Sequence, residues 1–135
     1  MQEPVWIPAA AGELFDKLTI LRIKRERMTD PGQLANVARE LTLLEGIAGK
    51  LDTQAIAQAL DAQVAELQAI NGTLWDLENQ VRAFARAADH GDGFVAAARS
   101  IYSNNDRRAA VKREINRLLG SPLVEEKDHS GGARR

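Results

Sequence analysis

Cysteine is absent from the 135-residue chain. Disulfide frameworks, thiolate nucleophiles and thiolate zinc sites are therefore excluded together. Aromatic residues make up only 4%, and none is interleaved with the basic positions, so nucleic acid is not an expected partner. Apolar runs are short and broken by charge, which argues against a membrane span and membrane binding. The opening "MQEPVWIPAAAGE" has neither a basic start nor a long apolar stretch, unlike a secretory signal, so a cytoplasmic location is expected. Only two histidines occur, His90 in a turn and His129 in the tail, which makes histidine catalysis an unpromising reading. Phosphate-loop, dinucleotide, HExxH, EF-hand and GxSxG signatures are also missing.

What is present is helical. Alanine, leucine and charged residues dominate, and no β-branched run occurs. The length suits one domain, able to bury roughly two-thirds of its unfolded surface without a metal or disulfide. A first helix is expected from after Gly12 to about Met28, with the stripe Leu14, Leu18, Leu21, Arg25, Met28. "TDPG" then turns the chain, Pro31 suiting a first helical turn. A second helix carries Leu34, Val37, Leu41, Leu44, Ala48 and Leu51, weakened near Gly46 and Gly49. The third, Thr53 to Asp89, alternates fours and threes through Ile56, Leu60, Gln63, Leu67, Ile70, Leu74, Leu77, Val81, Phe84 and Ala88. Unbroken it would reach about 55 Å, longer than a compact domain of this size. It is thus expected either to bend at Asn71-Gly72 or to pack against a second copy.

After "HGDG", with Asp92 as the expected N-cap, a fourth helix runs through Phe94, Ala98, Ile101, Asn105, Arg108, Lys112, Ile115 and Leu119. Its alternative is a break at "SNND", Asn104 or Asn105 capping a fresh helix. Trp6 is expected to dock an extended N-terminal arm. Past Pro122 periodicity ends, and residues 123–135 read as a mobile tail. The expected fold is all-α, an antiparallel bundle of four to five helices with coiled-coil-like heptads, a single domain over residues 1–122. A homo-oligomer, specifically a dimer along the third helix, is the expected assembly.

Net charge is −1, but it is unevenly spread. Glu13 to Arg27 holds five basic and three acidic residues, and Arg99 to Arg117 holds six and two. Met28 to Ala98 between them holds four basic and ten acidic. Such asymmetry serves internal pairing between helices or an anion-binding face. Arg25, Arg108 and Lys112 stand on stripe positions, where an isolated buried charge costs several kcal/mol. They need carboxylates, for which Glu13, Asp16 and Glu78 are candidates, or a bound anion, which arginine's planar fork suits equally well. Trp75, with Asn71, Glu78 and Arg82 on its face, either walls a ligand or covers the edge of the core. Glu13 and Asp16, three apart, also permit a magnesium site with Glu78, although a convincing one would show a second such pair. The plainer role of Glu13 and Asp16 is to favour the positive end of the first helix.

Three blocks, "GELFDKLTILRIKRERMTD", "LWDLENQVR" and "ARSIYSNNDRRAAVKREINRLLGSPLVEEK", resemble an uncharacterised family of small helical bacterial proteins, a domain of unknown function. Its blocks are GEL-x-DK-x-TIL, LW-x-x-E and NDRRA-x-x-KR-x-IN, and the likeness covers nearly the whole chain. It carries no activity with it. The positions that match are Glu13, Asp16, Lys17, Lys24, Trp75, Glu78, Arg82, Asn105, Asp106, Arg108, Lys112 and Asn116. The resemblance also implies a setting among genes of sugar transfer for surface polysaccharide, hence a phosphorylated or nucleotide-linked sugar as ligand. The tail departs from the family's pattern after "EEK".

The expected function is a non-catalytic helical module, self-associating and needing no cofactor. It would bind an anionic small molecule (phosphate, nucleotide sugar or glycan precursor) through Arg25, Arg108 and Lys112, with Asn105 orienting the ligand, Trp75 and Arg82 beside it, and Glu78 holding the arginines. The alternatives are a magnesium-dependent hydrolase or transferase using Glu13, Asp16 and Glu78, and a structural protein whose polar belt fixes helix register.

Overall fold

The computed structural model describes residues 2–123 and 125–129. Met1, Val124 and the end of the expected tail, residues 130–135, lie outside the described residues. The described residues form an all-α bundle of four helices: α1 (Ala11–Arg27), α2 (Pro31–Ala48), α3 (Ala57–Arg86) and α4 (Asp92–Leu119), with a 3-10 turn at Gln54–Ile56 before α3. No strand occurs among the described residues. Phe15, Leu18 and Leu21 of α1, Val37 and Leu41 of α2, Leu60 and Leu67 of α3 and Ile115 of α4 form the core.

The α1–α2 turn follows its local chemistry. Asp30 caps α2 by accepting from the Gln33 N–H at 2.9 Å, with Pro31 in the first turn. The second helix closes at Gly49, near the glycines that weaken it. Gly120 ends α4 in the left-handed conformation at φ 62°, which glycine adopts without a Cβ clash, and the Ser121 N–H returns to the Asn116 carbonyl.

Helix lengths and caps depart in places from expectation. The third helix is unbroken through Asn71-Gly72, and its 30 residues span about 45 Å. It is shorter than expected because a 3-10 turn takes its start and Ala87 its end. The fourth helix is continuous through "SNND", the first of the two readings: Asn104 donates to the Ser100 carbonyl within the helix and caps no new one. Asp92 is its first helical residue, and Gly91 occupies the N-cap. Trp6 remains 65% exposed, so it does not anchor the N-terminal arm in the core.

The helix pair α3–α4 is an antiparallel hairpin. Gly93 abuts the Phe84 ring near the turn, and Arg108 reaches Asn71 farther along. Its neighbour α1 touches all three other helices, and for that it buries more than one stripe. Leu18 and Leu21 join the shared apolar core, while Gly12, Asp16, Thr19 and Ile23 form a second buried row. Arg25 belongs to neither. It is exposed in the last turn of α1, where it complements the negative end of the helix with Lys24 and Arg27. The charge asymmetry is met by interhelical pairs: Lys17–Glu40 at 3.3 Å, Arg27–Asp76 at 2.7 Å and Arg107–Glu66 at 2.6 Å.

Candidate functional site

The close approach of α1 to α4 begins at Gly12. A Cβ there would lie 2.6 Å from the Lys112 carbonyl, so only glycine permits this crossing. Ala10, at the N-cap, offers α1 no side-chain acceptor. Instead the Gly12 N–H donates to Asn116 Oδ1 at 2.6 Å and the Ala11 N–H to Ser121 Oγ at 3.3 Å. Orphan donors of the first helix are thus satisfied by the end of the last.

One turn along this crossing lies Lys112, its side chain only 11% exposed. Its ammonium meets Glu13 at 2.6 Å, Glu125 at 2.7 Å and Asp16 at 3.7 Å. Burial works to lower its pKa, but the hydrogen bonds to Glu125 and Glu13 and the charges of Asp16 and Glu13 outweigh that and hold it above its ordinary value. Glu125 titrates below the usual glutamate value, because Lys112 donates to its carboxylate. Lys112 is therefore the centre of an ion network. Glu13 and Asp16 are indeed brought together, around an ammonium. Among the described residues no group of three acidic or histidine side chains is placed to hold a metal ion. Glu125, in the segment expected to be a tail, was not visible as a partner.

The network continues inward through neutral groups. Asn71, 4% exposed on α3, donates from Nδ2 to Asp16 Oδ1 and to Thr19 Oγ1, both at 2.9 Å. Thr19 Oγ1 in turn donates to the Asp16 carbonyl. Asn71 Oδ1 is left facing α4, where it accepts from Arg108 Nη1 at 3.1 Å. Arg108 Nη2 donates to Asn105 Oδ1 at 2.7 Å. Two uncharged amide oxygens thus hold this guanidinium. No carboxylate among the described residues comes within 4.0 Å of it.

Arg108 opens on a cleft of about 360 Å³ between α1, α3 and α4, lined by Ile20, Ile23, Asn71, Leu74, Trp75, Glu78, Asn79, Asn105 and Arg108. Trp75, Glu78, Asn105 and Arg108 were expected at a site, and the fold brings these four together. Arg25 and Arg82 are exposed outside the cleft, and Lys112 is committed to its carboxylates. Glu78 does not hold the arginines. Arg108 is held instead by Asn71, across the helix hairpin, and by Asn105, three residues before it on α4 itself. Asn71, Thr19 and Asn79 escaped notice as site residues. Asn71 shows in the sequence as a polar residue on the face of Trp75 and as a helix-bending position, neither of which names its partners on α1 and α4.

A second, larger cleft of about 1050 Å³ lies between the N-terminal arm, the α2 end, residues 119–123 and Glu125, and is lined by Val5, Trp6, Leu43, Ile47 and Leu123 among others. Compared with known protein families, curated proteins and solved structures, the chain shows no match.

Proposed function

We propose that the chain is a binding module for an anionic small molecule, seated in the cleft beside Trp75 with its charge on Arg108. One observation carries this reading: among the described residues Arg108 is fixed in position by amide oxygens alone, so its orientation is set while no carboxylate there pairs with its charge. A guanidinium placed against carboxylates would have exchanged that charge for an internal pair, as Lys112 does. Arginine donors also suit the oxygens of a phosphate or carboxylate. The apolar wall of Ile20, Ile23, Leu74 and Trp75 supplies surface for the remainder of the ligand. A sugar phosphate, nucleotide sugar or other glycan precursor fits this chemistry. The metal-dependent reading has less support, because Glu13 and Asp16 do not line the cleft and already share Lys112.

Thermal unfolding against inorganic phosphate, sugar phosphates, nucleotides and nucleotide sugars tests the proposal. A ligand at a hundred times its Kd adds about 2.7 kcal/mol of stability. The expected result is a stabilising anion whose effect disappears in Arg108→Ala. If no anion stabilises the protein, or if Arg108→Ala leaves the shift unchanged, the reading is wrong.

A further inference from the structure

The cleft holds a second unspent charge. Glu78 lines it from α3, and no basic group among the described residues lies within 4.0 Å of its carboxylate. Arg82, one helical turn away and well placed by sequence for an i,i+4 pair, does not form one. Neither does Arg108, although both line the same cleft. Glu78 is exposed at the cleft's rim, while neighbouring charges on the same helix do find partners. Arg27 takes Asp76, two residues before Glu78 on the same helix, and Arg107 takes Glu66. One cation and one anion therefore face a common space without neutralising each other, with Asn79 and Asn105 as uncharged groups beside them.

A ligand with negative charge alone would meet attraction at Arg108 and repulsion at Glu78. One carrying both signs would satisfy both walls. Resting on the anion-site reading above, we propose that the cleft selects a zwitterion: a small molecule whose phosphate or carboxylate sits on Arg108 while a protonated amine sits on Glu78. The cleft's 360 Å³ equals about a dozen water volumes, a size for a small amino-bearing anion. The charge-assisted hydrogen bond to Glu78 gains strength as the ligand displaces water from the cleft.

Matched pairs of probes test this: phosphoethanolamine against ethyl phosphate, and glucosamine 6-phosphate against glucose 6-phosphate. Each is titrated calorimetrically into the wild type, Glu78→Gln and Asn105→Asp, with folding checked by circular dichroism. The expected result is about a tenfold preference for the amine-bearing member of at least one pair. In Glu78→Gln the preference collapses from both sides: the amine-bearing ligand weakens, and its partner, relieved of a nearby anion, tightens. Asn105→Asp places a carboxylate against Arg108 and weakens every probe. Equal binding within both pairs, lost in Asn105→Asp, overturns the zwitterion and leaves the anion site standing. An amine preference that survives Glu78→Gln also overturns it. No binding of any probe to the wild type, with no response to the broader anion panel above, overturns both readings.

Discussion

Arg108 Nη1 lies 3.1 Å from Asn71 Oδ1, and that hydrogen bond is aimed from a third helix. The Thr19 hydroxyl gives its proton to the Asp16 carbonyl, so toward Asn71 it acts only as an acceptor. Asp16 Oδ1 is an acceptor too. Both therefore demand the NH2 side of the Asn71 amide and turn its oxygen to Arg108. Replacing Asn71 with leucine removes the donor that Asp16 and Thr19 share and the acceptor of Arg108. The expected cost is about 1–3 kcal/mol, read by urea unfolding. Asn71→Asp sets a second carboxylate beside Asp16, and the proton they then share raises a folded-state pKa. A raised pKa contributes stability that is lost as pH rises. The deficit of Asn71→Asp relative to wild type should accordingly be smaller at acid pH than at neutral pH, and an equal deficit at both would contradict this arrangement.

Asn105→Asp is the converse experiment. Its carboxylate would face Arg108 on a half-buried surface. Thermal stability should hold or rise by up to about 1 kcal/mol, while anion binding falls at least tenfold. A gain in anion affinity would contradict the role given to Arg108.

Lys112 holds three carboxylates of which Asp16 is the most buried. Lys112→Met leaves that charge unpaired inside the bundle, at an expected cost of about 2–4 kcal/mol in denaturant unfolding. A loss below about 1 kcal/mol would mean that water already screens the cluster.

The Lys112–Glu125 pair has its own pH window. The raised Lys112 pKa contributes stability that is complete below its ordinary 10.5 and lost as pH climbs through the raised value. The lowered Glu125 pKa contributes stability that is complete above its ordinary 4.5 and lost as pH falls through the lowered value. The pair thus holds throughout the neutral range. Glu125 is partly exposed, so screening keeps the effect small. Glu125→Gln should lower Tm at neutral pH by about 1–2 °C. The difference should vanish once the pH is well below the lowered glutamate value, and a constant difference would show that the pairing is not electrostatic.

Gly12→Ala drives a methyl group onto the Lys112 carbonyl, which is backbone and cannot swing aside. The helices must separate, weakening the Asn116 cap as well, at about 1–3 kcal/mol. A neutral substitution would show that α1 and α4 are not held at this distance.

The regular parts of this fold were legible because they obey one period. Four helices, the Asp30-Pro31 start and the Gly49 end all follow from leucine spacing and capping chemistry. Four cleft residues, Trp75, Glu78, Asn105 and Arg108, were legible from polar intrusions on or beside that spacing. Arg25 was misplaced because a stripe drawn through leucines ignores the second buried row that α1 needs to touch three neighbours. Asn71 and Thr19 stayed hidden for a related reason. A polar residue among apolar ones is informative only once its partner on another helix is known, and Asp16 is 55 residues away from Asn71. Glu125 lies beyond the last helical repeat, where periodicity has nothing to say.

The bond from the Gly12 N–H to Asn116 spans 104 positions, and this sets a timetable for a chain made from its N-terminus. At about 5–20 residues per second, the first helix leaves the ribosome roughly 5–20 s before its own cap exists. Throughout that interval Asp16 lacks Lys112, and the row of Gly12, Asp16, Thr19 and Ile23 has no α4 to close over it. The earliest helix to be synthesised is therefore the one completed last. A chain interrupted before Asn116 would carry every α1 residue and still be unable to finish α1.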